Sequence, residues 1–371
     1  MSGLSGLPDF PWDSLADAQA RARAHPDGIV DLSVGTPVDP TPRLAREALV
    51  AAADSPGYPL TAGTPELRRA MAGWAVRRWA VEGLEPTSCL PVVGTKELVG
   101  WLPTLLGLGS RTSEPPVVVV PEAAYPTYRV GALVAGARVV AADDPARLGD
   151  LRPALVWVNS PSNPTGEVLA PERLRGWVDW CRERGAVLAS DECYGELGWE
   201  AAPVSVLHPD VCGPDHRGLL AVHSLSKRSN LAGYRAGLVL GDADLVAGLL
   251  AARKHLGMIV PAPVQAAMTA LLDDDTEVAA QRERYRARRD VLRSALEAAG
   301  YRVDHSTAGL YLWVTRGEDC RATVDRLAEL GILVAPGDFY GEPDVTGQHV
   351  RVALTATDER IAAAATRLRA A

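Results

Sequence analysis

An α/β fold built on a mostly parallel central sheet flanked by helices, with a smaller α+β unit after it, is predicted by two features of the chain. Short apolar runs alternate with helix-period segments through its middle, and that texture changes after Pro261. Strands are expected at Cys89–Val93, Val117–Val120, Ala154–Val158, Ala186–Ala189, Leu219–His223 and Ala236–Leu240. Helical segments between them include Pro65–Trp79, Glu97–Leu108, Pro126–Ala135 and Pro171–Arg184. Beyond the change, Pro263–Leu272 and Glu277–Ala299 read as helices, with Gly300 as a stop signal. A shorter rhythm follows, with strands near 309–314, 331–335 and 348–353 and helices near 320–330 and 358–370. With 371 residues and roughly 150 per domain, two domains are expected. The division runs as an N-terminal segment 1–40 packing with the small domain, a large domain 41–260 and a small C-terminal domain 261–371.

Composition removes several classes of function. A net charge of −8, from 38 Lys+Arg against 46 Asp+Glu, provides no basic field for nucleic acid or an anionic membrane surface. The arginine-rich stretch 281–290 is interleaved with Glu283 and Asp290 and reads as a solvated helix face. No run approaches the ~18 apolar residues of a membrane span, and residues 1–27 lack the pattern of a signal peptide. Five cysteines, at 89, 181, 193, 212 and 320, are odd in number and form no C-x-x-C pair, so neither a disulfide framework nor a zinc ribbon is indicated. A cytoplasmic protein without a metal is expected.

Several catalytic motifs are absent. The chain has no Gly-Lys dipeptide and hence no Walker A loop, and it contains no G-x-G-x-x-G, H-E-x-x-H or G-x-S-x-G. The seven histidines show no metal-ligand spacing. Only three lysines occur, Lys96, Lys227 and Lys254, so lysine chemistry has three candidates.

Four short stretches instead collect polar residues at the ends of expected strands, where open α/β sheets bind ligands. Lys227 follows the strand Leu219–His223, flanked by Ser224 and Arg235. An amine carried from a sheet end into a cleft can lose its proton and act as a Schiff-base nucleophile, with a hydroxyl and a permanent cation beside it to hold a phosphate. Asp191-Glu-Cys-Tyr194 places a carboxylate suited to a protonated ring nitrogen three residues before a phenol. Asn159-Ser-Pro-Ser-Asn163-Pro-Thr-Gly166 is a turn holding two of the three asparagines, and Gly94-Thr-Lys-Glu97 opens a helix where backbone amides can meet an anion. Read singly, these are a loop lysine, a cap, a tight turn and a helix start. Together they are the set that pyridoxal 5′-phosphate requires.

The string S-x-S-K-x-x-x-x-x-G-x-R-x-G at Ser224–Gly237, preceded in order by N-P-T-G and D-x-x-Y, resembles the pyridoxal-phosphate-dependent aminotransferases of fold type I, in the aspartate aminotransferase-like class. The resemblance runs from Asp31 to Ala353. It implies that Lys227 carries the cofactor, that Asp191 pairs with the pyridine nitrogen, and that Tyr194 and Asn163 contact the ring hydroxyl. It places Tyr125 on the cofactor ring and assigns the phosphate to Gly94, Thr95, Lys96, Ser224 and Arg235. It also implies a homodimer, with Tyr58 reaching the neighbouring subunit's phosphate, and a substrate α-carboxylate held by Arg351 with Asn163 under a loop at Gly35. Relatives often carry small residues where this chain has Lys96, so that side chain is expected on the phosphate or on a second substrate anion. Arg129, Arg228 and Lys96 are the candidates for distal carboxylates.

Leu32–Asp39, Gly94–Glu97 and Ser190–Tyr194 look most like the actinobacterial N-succinyldiaminopimelate aminotransferases of lysine biosynthesis. The implied reaction moves an amino group from L-glutamate to N-succinyl-2-amino-6-oxopimelate. The rivals are another amino-acid aminotransferase, a β-lyase or decarboxylase of the same fold, and a ligand-sensing regulator. For the last, the thirty residues before Asp31 are too few to hold a DNA-reading module with a linker.

Overall fold

A computed structural model describes residues 7–109 and 114–371. Its strands are β1 (Val30–Asp31), β2 (Cys89–Val93), β3 (Val117–Val120), β4 (Arg138–Ala141), β5 (Leu155–Asn159), β6 (Val187–Asp191), β7 (Leu219–Ser224), β8 (Ala236–Gly241), β9 (Arg302–Asp304), β10 (Tyr311–Thr315), β11 (Ile332–Leu333), β12 (Ala335–Pro336) and β13 (His349–Ala353).

Seven strands form the central sheet in the order β2-β8-β7-β6-β5-β3-β4, with β8 antiparallel to both neighbours and the other pairs parallel. Successive residues of a strand point to opposite faces, and both faces are covered. Val156, Val158, Leu188 and Ala221 pack with the helices Pro65–Trp79, Pro171–Arg184 and Ala262–Leu272. On the other face, Leu155, Trp157, Ala189 and Val222 meet the helices Thr95–Leu105, Thr127–Val134 and Ala243–Leu256. Strands buried on both sides read as unbroken apolar runs, which is why Val117–Val120 is legible in the sequence. The edge strand β4 is only half covered and lacks that signal.

Local chemistry sets the helix limits. Thr64 caps Pro65–Trp79 by accepting the Leu67 amide at 3.2 Å, and Asp242 caps Ala243–Leu256 through the amides of Asp244 and Leu245. Gly185 and Gly257 close their helices with φ of +66° in each case.

A second sheet, β12-β13-β10-β9, is antiparallel throughout. Its core takes in Leu15, Ala18, Ala22, Val30 and Leu32 from the start of the chain, and β1 pairs in parallel with β11. The helix Ala262–Leu272, which opens the segment expected to form the small domain, buries Val264, Ala267, Met268 and Leu271 in the core of the large sheet. The arginine-rich helix Thr276–Ala298 departs from the expected solvated face. Arg288 and Arg289 are buried, Arg288 bridging Asp39 and Asp358 and Arg289 holding Glu200.

Candidate active site

The carboxyl ends of β5, β6 and β7 supply Asn159, Asp191 and Ser224, each the last residue of its strand. Both inner strands run further than expected, which brings Asn159 and Asp191 into direct register across β5 and β6. Gly94 follows β2, and Arg235 precedes the antiparallel β8 at the same sheet end. These residues meet in a cavity of about 590 Å³, within the range of about 300–1,000 Å³ usual for ligand pockets.

Of the expected site residues, Gly35, Thr95, Lys96, Tyr125, Asn163, Asp191, Tyr194, Ser224, Lys227, Arg235 and Arg351 line this cavity. Gly94 lies immediately beside it. A Cβ there would sit 2.1 Å from an Arg235 guanidinium nitrogen, and its φ of +75° suits glycine alone, so the guanidinium rests directly on bare backbone. Arg235 itself adopts φ +57°, a conformation that side-chain-bearing residues seldom take outside functional loops. The helix Thr95–Leu105 starts at the cavity and is anchored by Glu97, whose carboxylate takes two bonds, of 2.9 and 3.1 Å, from the fully buried Arg253.

Three expected residues lie elsewhere. Tyr58 is 99% exposed on its loop and does not line the cavity. Arg129 is exposed and is likewise not part of the lining. Arg228, expected as a distal-carboxylate candidate, is buried behind the site, where it pairs with Glu196 at 2.9 Å and donates to the Leu271 carbonyl. An arginine already committed to a buried carboxylate has no free charge for a substrate.

Asp191 is buried with each oxygen in one hydrogen bond: the Tyr128 hydroxyl donates at 2.7 Å and the Cys193 amide at 3.1 Å. Burial raises its carboxyl above the usual range against the pull of these donors. Tyr128 is stacked on Trp157 at 4.9 Å, with Tyr125 meeting its edge at 5.9 Å. Asn159 organises the turn that follows β5: its amide donates to the Pro161 and Asp191 carbonyls, and its oxygen accepts the Asn163 amide at 2.7 Å.

Lys227 donates to the Gly35 carbonyl. Burial lowers its pKa, and Arg351 and Arg235 lower it further, while Tyr311 and Cys193 work the other way. The amine is thus eased toward its nucleophilic, neutral form.

Arg351 is buried and has no carboxylate partner among the described residues. It donates to Asn163 Oδ1 at 2.8 Å and to the Ser33 carbonyl at 2.7 Å, with the Tyr311 ring 3.9 Å and the Tyr340 ring 5.0 Å away. Among the described residues its Nε has no partner. A guanidinium desolvated in this way can receive a planar carboxylate.

Sequence reasoning does not single out Tyr311, Tyr128, Phe10 or Trp12, and it marks Asn159 only as part of its turn. The Tyr311 hydroxyl lies 3.1 Å from that of Tyr194. It also packs so tightly on Gly35 that a Cβ there would be 2.2 Å from the phenol oxygen. Burial alone would raise the Tyr311 phenol, but Arg351 and Lys227 outweigh it and lower the pKa, whereas burial raises that of Tyr194. Tyr128 has a signal, since it closes the stretch Ala124–Tyr128 that also holds Tyr125; Tyr311 has none.

A phosphate cradle of backbone and arginine, a buried carboxylate for a ring nitrogen, and a desolvated lysine together suit pyridoxal 5′-phosphate. Comparison with known proteins agrees. Residues 27–368 match the family of class I and II aminotransferases. The chain is 63% identical over 364 residues to the Mycobacterium tuberculosis protein named "Probable aminotransferase Rv1178", covering 98% of this chain and 86% of that one. It is 59% identical over 362 residues to the 4-dedimethylamino-4-oxo-anhydrotetracycline transaminase of Streptomyces rimosus, covering 98% and 99%. In three dimensions it resembles the N-succinyldiaminopimelate aminotransferase of Mycobacterium tuberculosis, with a TM-score of 0.87, 27% identity and coverage of 100% and 99%. The chain belongs to the class I and II aminotransferases, enzymes of the aspartate aminotransferase-like fold type I that depend on pyridoxal 5′-phosphate.

Proposed function

We propose that this aminotransferase takes the amino group of L-glutamate and delivers it to N-succinyl-2-amino-6-oxopimelate, forming N-succinyl-LL-2,6-diaminopimelate. The observation that carries the transaminase chemistry is Arg351, a buried cation without a carboxylate, in the same cavity as the desolvated Lys227. The finer choice of acceptor is supported by the sequence stretches named above and by the three-dimensional likeness to an enzyme of that name. A second reading, a ketone on a polycyclic substrate, is favoured by the 59% identity to the Streptomyces rimosus transaminase.

In this reading Arg351 and Asn163 hold the substrate α-carboxylate, with the Gly35 loop over it. Lys227 Nζ, eased toward its neutral form, would take the proton from the substrate α-carbon and give it back as the amino group is transferred. Asp191 keeps the pyridine nitrogen protonated, aligned by Tyr128 and Cys193, and the bound cofactor supplies the electron sink. Tyr194 and Asn163 would contact the ring hydroxyl, and Tyr125 would lie against the ring. Gly94, Thr95, Lys96, Ser224 and Arg235 form the phosphate set. The exposed Tyr58 completes the phosphate site of a second subunit, making the enzyme a homodimer with shared sites. Residues 7–40 and those beyond the helix Ala262–Leu272, which is itself built into the core of the large sheet, act as the unit that closes on the large domain. Five free cysteines support a reducing, cytoplasmic setting.

The test is the visible absorbance of the cofactor-loaded protein through two additions. Loss of the cofactor band with L-glutamate and its return with the succinylated keto acid are expected. No response to glutamate excludes it as donor, and release of pyruvate and ammonia from a cysteine-type substrate replaces transamination with β-elimination.

A further inference from the structure

Tyr311 lines the cavity but has no task in the reading above. It stands opposite Ala353 in the pairing of β10 with β13, which sets it diagonal to Arg351 on the same face of that sheet. The centre of its ring accordingly lies 3.9 Å from the Arg351 guanidinium carbon. Its phenol oxygen is packed on Gly35, whose carbonyl accepts from Lys227, and lies 3.1 Å from the Tyr194 hydroxyl. That hydroxyl is the one given above to the ring hydroxyl of the cofactor.

Two phenols in contact share one hydrogen bond, and each has a single hydrogen to give. Acidity decides which of them gives it, because the hydrogen on the more acidic oxygen is the more strongly polarised. Arg351 and Lys227 draw the Tyr311 hydroxyl below the usual tyrosine range, while burial holds Tyr194 above it. The remaining titratable neighbours, the Cys193 thiol and the phenols of Tyr125, Tyr285 and Tyr340, are themselves raised and stay neutral near pH 7. Tyr311 is therefore the donor and Tyr194 the acceptor. The Tyr194 hydrogen is then spent on neither phenol and is available to the cavity, which Tyr194 also lines.

We propose that Tyr311 is a positioning residue: by donating to Tyr194 it turns the Tyr194 hydrogen onto the ring oxygen of the cofactor. The proposal rests on the reading of Tyr194 as a partner of that ring oxygen. In pyridoxal 5′-phosphate the oxygen is next to the carbon that a lysine amine attacks, so once Lys227 is joined there, oxygen and nitrogen share a proton. A hydrogen bond given to the oxygen weakens its hold on that proton. Tyr311 thus lowers the pH at which the proton leaves, although it touches neither the cofactor nor the proton.

The experiment titrates the visible absorbance of the cofactor-loaded enzyme with pH, without substrate, for the parent, Tyr311→Phe, Tyr194→Phe and the double variant. Losing a donor strengthens the ring oxygen's hold on the shared proton, so the midpoint moves upward. Tyr194→Phe is expected to raise it by about one pH unit, the roughly tenfold size of a single neutral hydrogen bond. Tyr311→Phe should raise it by less, in the same direction. The double variant should titrate with Tyr194→Phe, because the phenol through which Tyr311 acts is already gone. Phenylalanine keeps the ring on Gly35 and Arg351, so only the hydroxyl is removed.

An unmoved or lowered midpoint in Tyr311→Phe, beside a raised one in Tyr194→Phe, overturns the proposal and leaves Tyr194 as the ring partner. A further shift on adding Tyr311→Phe to Tyr194→Phe overturns it too, since Tyr311 then acts on the cofactor without Tyr194. An unmoved midpoint in Tyr194→Phe refutes the underlying reading of that residue, and the proposal falls with it.

Discussion

The floor of the cavity and its substrate wall are built in opposite ways. Asn159, Asp191 and Ser224 sit on three neighbouring strands of one sheet, and Gly94 and Arg235 lie at the same sheet end, so backbone register alone brings them together. The wall joins Phe10, Trp12 and Gly35 to Tyr311 and Arg351, which belong to the second sheet and meet the first residues only through tertiary packing. The floor is held by backbone hydrogen bonds, while the wall depends on tilted and edge-on ring contacts and on single hydrogen bonds such as those of Arg351 to Asn163 and Ser33. Cofactor binding is therefore fixed by the scaffold, and substrate choice can change with a few side chains that the scaffold does not constrain.

The largest break in this comparison is expected at Lys227. Lys227→Ala should abolish turnover while the other floor residues still hold the cofactor, read as absorbance retained after dialysis; appreciable residual turnover would remove the lysine from its role. Arg351→Ala should act on the wall alone, weakening amino-acid binding by about 1.5–3 kcal/mol, or roughly ten- to a hundredfold, with cofactor retention unchanged. Equal losses in both quantities would show that floor and wall are not separable.

A smaller effect is expected where the two halves join. Glu277, at the start of the long helix, accepts from the Ser229 hydroxyl, two residues past Lys227, and lies 3.9 Å from Arg228. Burial pushes its carboxyl up to about 7 from 4.5, against the opposing effects of Ser229 and Arg228. A raised folded-state pKa means that the group's stabilising contribution is complete below about 4.5 and is lost as pH climbs through 7. Glu277→Gln cannot ionise, so it should be near neutral at pH 5 and more stable than the parent at pH 8, by up to about 3 kcal/mol. Denaturant unfolding at the two pH values checks this, and an equal difference at both would refute it.

How far the molecule could be read from its sequence follows the same division. Lys227, Asp191, Asn163 and Arg235 stand next to apolar runs that betray buried strands, so motif and position reinforce each other. Tyr311 and Trp12 carry no local mark, because what matters about them is a contact across almost the whole chain. Arg228 shows the converse: a cation one residue from the reactive lysine reads as facing the substrate, yet its side chain is buried against Glu196. Charge alone also misled at Arg288 and Arg289, because the acids that draw them into the core, Asp39, Asp358 and Glu200, lie far away in sequence. The edge strand β4 and the helix Arg43–Ala51 give little signal in the sequence, the first being half covered and the second having only Ala45 buried.

The parallel pairing of Val30 with Ile332 has a consequence for synthesis. About 300 residues separate the partners, so at ribosomal rates of about 5–20 residues per second the early strand waits roughly 15–60 s for its mate. Throughout that interval the central sheet can assemble, while Leu15, Ala18 and Ala22 remain without the core that will cover them. A nascent chain can thus complete the floor of the cavity while Phe10, Trp12 and Gly35, already made, still lack the second sheet that turns them into a wall.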